Sequence, residues 1–252
     1  MISKAEKKYK TLLLKVLQKG EKTTNRTSVK TIKLFNESLN INLQKGFPII
    51  TSKKIFFTKA LAEFRWMYEG RTDLQYLNNN KVNWWNEFAI NNTLGKVYGY
   101  QIKNFNGVYN QIEYCIKEIK KNSRRAIITL WNPCDLKEQS LPCCFTQMNF
   151  VRSNNKLNLS VHFRSSDLFL GLPYDIIVAA LFLHTIANKV NLIPYKLGLN
   201  LADGHIYLNH LKNVNIYLKN KSYPLPIFQG GYNNYTIKNY ISEQYLKTPL
   251  IK

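Results

Sequence analysis

The chain has 252 residues, 45% of them hydrophobic and 13% aromatic, which suits one large domain with a sizeable core. No run of about 18 apolar residues occurs, so no membrane span is expected, and the opening MISKAEKKYKTLLLKVLQKG lacks the apolar segment and cleavage site of a secretion signal, so a cytoplasmic location is expected. The formal net charge of +21 is spread along a chain rich in Lys, Asn and Ile, the bias of an AT-rich genome; it suits an anionic ligand, and a nucleic-acid partner is not expected.

Residues 5–19 place Leu12, Leu13, Val16 and Leu17 on one helical stripe, closed by Gly20. The polar stretch 20–28 reads as a loop and carries Arg26. Residues 29–36 and 39–44 read as two strands before a Lys-Gly-Phe-Pro turn. A helix is predicted over 56–68, with Glu63 inside it and Gly70 as its stop, and another over 109–121. A short buried strand is predicted over 125–131. Residues 145–151 and 156–163 form a predicted hairpin, in which Leu157, Leu159, Val161 and Phe163 alternate. The stretch 174–190 is almost wholly apolar and reads as a core helix. Residues 195–207 read as a strand pair or one bent strand, and Asn209 opens a further helix. Strands mixed with long helices, with no linker or repeat, indicate an α+β class in a single domain over 1–252.

The stretch 141–175 concentrates the residues that carry chemistry. Cys143 and Cys144 are neighbours, and neighbours on a strand face opposite ways, so only one of them looks into a given pocket. A buried cysteine is otherwise an inert small hydrophobe. Arg164 and Ser165 end a strand; guanidinium and hydroxyl both donate, a pairing suited to phosphate, or else to a solvated strand end. Arg124 and Arg125 read as surface charge unless a phosphate contact is missing. Glu63 lies among Ala62, Phe64 and Trp66. A carboxyl buried there would gain proton affinity and serve as acid, base or water holder; on pattern alone it is an ordinary helix-surface glutamate. Asp175 stands at a helix mouth, a position that capping and the helix dipole favour. Cys115, Cys134, Cys143 and Cys144 contain no Cys-x-x-Cys pair, and His162, His184, His205 and His210 are scattered, so neither a disulfide framework nor a metal site is expected.

In chain order these motifs resemble the thymidylate synthase family over nearly the whole length. The family's Leu-x-Pro-Cys-His stretch, with Gln-Phe soon after, is matched by Leu141-Pro142-Cys143-Cys144-Phe145 and Asn149-Phe150. Its Arg-Ser-x-Asp and Leu-Gly-x-Pro-Phe-Asn are matched by Arg164-Ser165-Ser166-Asp167 and Leu170-Gly171-Leu172-Pro173-Tyr174-Asp175. Its Asp-x-His-x-Tyr-x-Asn-His is matched from Asp203 to His210. Arg26-Thr27, Gly46-Phe47-Pro48, Glu63-Phe64-Arg65-Trp66, Val97-Tyr98-Gly99 and Ser123-Arg124-Arg125 extend the match. The family nucleophile precedes its phosphate-binding arginine by 20 residues, as Cys144 precedes Arg164, so Cys144 takes that place and Cys143 that of the usual proline.

The resemblance implies a large twisted mixed sheet flanked by helices, with sheets packed back to back in a symmetric homodimer. It implies Cys144, Glu63, Asp175 and Tyr98 as catalytic residues, with nearby arginine charge favouring the thiolate. Phosphate would be held by Arg26, Arg164 and Ser165, with Arg124 and Arg125 reaching over from the other subunit, and the sugar hydroxyl by His205 and Tyr207. Trp85, Asp167, Leu170 and Gly171 would line the folate site, with 5,10-methylenetetrahydrofolate as one-carbon donor and no metal. The implied chemistry is thiolate addition at C6 of a pyrimidine nucleotide, which makes C5 the nucleophile toward the one-carbon unit.

Asp175 stands where the family has asparagine. An asparagine amide matches the N3–H and O4 of uracil, whereas an ionised aspartate only accepts and suits the N4 amino group and protonated N3 of cytosine. A buried mismatch costs about 1–3 kcal/mol, so the expected reaction is hydroxymethylation of dCMP, and an aspartate here resembles the family's phage deoxycytidylate hydroxymethylases. Phe145 for histidine agrees with a changed base; Asn149 and Phe163, each for glutamine, are further departures. The alternatives are thymidylate synthesis from dUMP, a CMP or dUMP hydroxymethylase, and an idle nucleic-acid-binding relative.

Overall fold

The computed structural model describes residues 3–251. Helix α1 (Lys4–Lys19) starts where the Ser3 side chain accepts from the Glu6 N–H, buries Tyr9, Leu12, Leu13 and Val16, and ends at Gly20. The elements that follow are β1 (Glu21–Thr23), β2 (Thr31–Asn42), α2 (Phe57–Tyr68), α3 (Leu74–Asn79), α4 (Tyr98–Lys103), α5 (Gln111–Lys120) and β3 (Ile127–Thr129). Then come β4 (Phe145–Ser153), β5 (Lys156–Phe163), β6 (Ser166–Asp167), α6 (Leu172–Lys189), β7 (Ile193–Tyr207), α7 (Leu211–Lys219), β8 (Ile227–Gln229) and β9 (Thr236–Lys238).

Seven strands form one mixed sheet in the order β1-β2-β7-β5-β4-β3, with β6 added beside β7. β4 and β5 are an antiparallel hairpin, while β5 and β7 run parallel. A parallel pair needs a crossover, and α6 supplies it. That helix packs on β5, β7 and α2, which is why its sequence is apolar nearly all round. The inward face of β5 carries Leu157, Leu159, Val161 and Phe163; Asn158, Ser160 and His162 alternate on the other face. Among the described residues, no helix is long and apolar enough to cross a membrane.

Several sequence readings are corrected. The two strands expected over 29–36 and 39–44 are one strand, β2, with Asn36 at φ 57° marking a kink rather than a break. Pairing to β7 continues on both sides, Phe35 with Asp203 and Glu37 with Leu201, so the sheet holds the kinked strand together. The strand stops at Asn42, where a 3-10 turn over Leu43–Lys45 begins. The 195–207 stretch is one long strand, β7, held by β2 on one edge and β5 and β6 on the other. The loop over 20–28 begins with β1, and α3, α4, β8 and β9 are short elements that the sequence pattern did not separate from loop. Among the described residues, eight of the nine non-glycine residues with positive φ are asparagines, Lys81 being the other. Asparagine tolerates the left-handed region, so its abundance in this chain serves turns, such as Asn154 in the hairpin, as well as reflecting base composition.

Candidate active site

The hairpin brings Cys144 and Arg164 opposite one another. The Arg164 N–H donates to the Cys144 carbonyl at 2.9 Å, one step beyond the Phe145–Phe163 pair. The Arg164 side chain turns back on the same segment: Nε donates to the Cys143 carbonyl at 3.0 Å and Nη2 to the Pro142 carbonyl at 2.7 Å. Nη2 also lies 3.9 Å from Cys144 Sγ. Cys143 is fully buried and Cys144 is half-buried, so the two differ in access as expected, although both lie just before β4 rather than on it. From α4, the buried Tyr98 Oη accepts the Cys144 N–H at 2.7 Å, so the thiol is held from two sides.

Burial pushes the Cys144 thiol up, and Asp175 adds to the effect, against the opposing charges of Arg164 and Arg26. The arginines favour the thiolate, as expected, but in the unliganded protein burial outweighs them and the pKa lies above its ordinary value. Tyr98 is itself pushed well above its ordinary value by burial and by the neighbouring thiols.

Glu63 is buried, so the reading of a helix-surface glutamate is overturned. Its Oε1 accepts two indole N–H groups, from Trp85 at 2.6 Å and Trp84 at 3.0 Å. Burial raises its proton affinity, and the two indoles pull the other way. Trp84 was not singled out in the sequence; its only signal there is a second tryptophan beside Trp85. Asp175, in the first turn of α6, caps nothing: Gly171 holds the N-cap position and no side-chain cap bond exists. Among the described residues no hydrogen bond or ion pair from the protein reaches its carboxyl. Burial pushes its pKa well above the ordinary value, with Glu63 and Asp167 adding to the push. The sequence reading treated this group as ionised; the tertiary surroundings favour its protonated form.

Beside Cys144 opens a cavity of about 360 Å³ lined by Arg26, Phe88, Trp131, Ser140, Leu141, Pro142 and Arg164. Two guanidiniums in the lining suit an anion. Arg164 also lies over the Trp131 ring at 5.7 Å, and Trp131, Phe88 and Ser140 were missed in the sequence. Ser165 is half-buried, next to Arg164. Arg124 and Arg125 are exposed beside the edge strand β3 and do not line this cavity, so the chain alone does not bring them to it.

On β7, His205 Nδ1 lies 2.9 Å from Asp203 Oδ1, which orients the ring, and Tyr207 packs edge-on to that ring at 5.2 Å. His205 and Lys33 hold Asp203 below its ordinary range. Asp167 Oδ1 accepts the N–H groups of Phe169 and Leu170, at 2.9 and 3.1 Å, which shapes the turn into α6. Its Oδ2 stands 3.7 Å from His210 Nδ1. Leu170 and Gly171 are half-buried on that turn, and Trp85 packs near Trp66 and Tyr98. Lys53, also missed, is buried, donates to the Phe169 carbonyl, and is pushed down to about 7 by burial, against the pull of Asp167.

The geometry thus gathers a thiol with its tyrosine and arginine, two carboxyls of raised proton affinity, and an anion pocket. Against known protein families, the model described as Thymidylate synthase matches residues 7–251.

Proposed function

The chain belongs to the thymidylate synthase family, whose chemistry is folate-dependent one-carbon transfer to a pyrimidine nucleotide, and from that premise we propose that it converts dCMP, 5,10-methylenetetrahydrofolate and water to 5-hydroxymethyl-dCMP and tetrahydrofolate. The observation that carries the choice of base is the Asp175 carboxyl, which meets no protein donor and favours its protonated form. Cytosine needs a proton at N3 to become a good acceptor at C6; uracil already carries one there. A carboxyl can hand over that proton and keep accepting from the N4 amino group, which an amide cannot do.

In this reading Arg26, Arg164 and Ser165 hold the phosphate, joined by the partner subunit's Arg124 and Arg125 in a back-to-back homodimer. The exposed position of the double arginine, away from the cavity of its own chain, supports that role. His205 and Tyr207 hold the sugar hydroxyl. Cys144 gives its proton away as its sulfur adds to C6, with Arg164 and Tyr98 stabilising the developing charge. Glu63, fixed by two indoles, orders water near the base. The residues fit a folate at the turn before α6: Asp167 keeps Oδ2 outside the turn bonds, Leu170 and Gly171 are half-buried, and Trp85 would complete the lining. 5,10-Methylenetetrahydrofolate supplies the one-carbon unit when bound.

The same protonated carboxyl favours a second reading, reductive methylation of dUMP. A neutral acid donates to O4 and accepts from N3–H, so it also matches uracil. Turnover of dCMP and dUMP, each tritiated at C5, with product mass, separates the two. Tritium release from dUMP alone overturns the cytosine assignment, and appearance of dihydrofolate overturns hydroxymethylation.

A further inference from the structure

Asp175 has two sides. One faces Cys144 just before β4, Tyr98 from α4, Glu63 from α2 and Asp167 from β6, which are its titratable neighbours. No cation is among them. The other side faces Phe145, Met148, Val161, Phe163, Val178 and Phe182. The two central rings are paired across β4 and β5, with centroids 5.5 Å apart, and Phe145 also leans on Tyr98 at 4.7 Å. Both are almost fully buried, at 4% and 2% exposure. The gap between this wall and Asp175 does not admit a water-sized sphere, and Asp175 is the one polar residue that lines it. A held water needs room and two to four polar partners, and neither is offered here.

We propose that Phe145 and Phe163 are positioning residues for base recognition: their rings keep water off the inner side of the Asp175 carboxyl, so that this group meets the pyrimidine carrying the proton the pairing requires. A half-buried carboxylate whose inner side is dry, with the carboxyls of Glu63 and Asp167 nearby, is costly, so the neutral acid is favoured, which agrees with the direction of its titration. Pairing with either base needs one proton shared between the carboxyl and the ring. If the free protein holds that proton at working pH, binding need not recruit it from water. Opening the wall to water stabilises the carboxylate and makes the proton scarce at the same pH. The inference deepens the reading of Asp175 given above, but it applies to whichever base is accepted.

The test is the pH profile of kcat/KM for tritium release from C5, using the preferred nucleotide, in the wild type, Phe145→His, Phe163→Gln and Phe145→Leu. Each polar variant gives water a partner beside Asp175. The expected result is a high-pH limb displaced downward in both, with each unit of displacement a tenfold loss above it and little loss below it. Phe145→Leu keeps the wall apolar and leaves the limb in place. A limb that stays put in both polar variants, or moves equally in Phe145→Leu, overturns the proposal. Infrared titration of the Asp175 carboxyl band in the unliganded wild type, assigned by difference from Asp175→Asn, covers the case in which the polar variants do not fold. Titration in the ordinary carboxylate range overturns the proposal; titration well above it supports it. A preference for dUMP with a displaced limb refutes the dCMP reading and leaves the wall standing.

Discussion

Replacing Tyr98 by phenylalanine removes one oxygen and tests how Cys144 is held. The ring keeps its neighbours, Phe145 at 4.7 Å and Trp85 at 5.9 Å, so apolar packing is unchanged. What is lost is the acceptor of the Cys144 N–H, a 2.7 Å bond at a residue only 3% exposed. A buried donor left without a partner costs about 1–3 kcal/mol, and for a domain of this size each kcal/mol moves Tm by about 2–4 °C. The expected fall is thus about 2–12 °C by calorimetry. The hydroxyl also helps to stabilise the Cys144 thiolate, so the pH midpoint for alkylation of Cys144 by iodoacetamide should rise in Tyr98→Phe. A Tm within about 1 °C of the wild type, together with an unchanged alkylation midpoint, would refute the view that Tyr98 holds and tunes this thiol.

Cys144→Ala should lower tritium release at least about a thousandfold, while Cys143→Ala, which removes a fully buried thiol and keeps the backbone carbonyl that accepts from Arg164, should keep turnover. Iodoacetamide mapped by mass should mark Cys144 and spare Cys143. Asp175→Asn should shift turnover toward dUMP, and it should also change stability. The folded protein raises this pKa, so the group's contribution is full below its unfolded value and is lost as pH rises through the folded one; urea midpoints of variant minus wild type should therefore grow from pH 5 to pH 8. Lys53 has the opposite sign. Its pKa falls from 10.5 to about 7, so the unfolded chain binds more protons between those values and wild-type stability rises with pH across that window. Denaturation of Lys53→Met should lack that slope, which is at most about 1.4 kcal/mol per pH unit.

The elements legible in the sequence are those whose pattern is local. The alternation of Leu157, Leu159, Val161 and Phe163 gave β5 to the residue, and the unbroken apolar run after Asp175 gave α6 to within two residues of its start. Short elements were lost where a handful of residues carries no period: α4 is six residues long and takes its place from Tyr98 and Gln101 packing inward. The kink at Asn36 looked like a strand break because pairing to β7, which carries the strand through, comes from 160 or more residues further along the chain.

The motifs around Cys144, Arg164 and Asp175 are contiguous, so the sequence by itself determined the family and which side chains could take part in the chemistry. Only the tertiary structure decided their state. The proton affinity of Cys144 is raised because burial outweighs two arginines. Glu63 is a buried acceptor of two indoles rather than a surface charge. Asp175 is, among the described residues, a carboxyl with no hydrogen-bond or ion-pair partner, set against a dry aromatic wall rather than capping a helix. The physical reason is the same in each case. Proton affinity is set by desolvation and by charges within a few ångströms, and those neighbours come from α2, α4, β4, β5 and α6, which become adjacent only when the sheet and its crossover helix assemble.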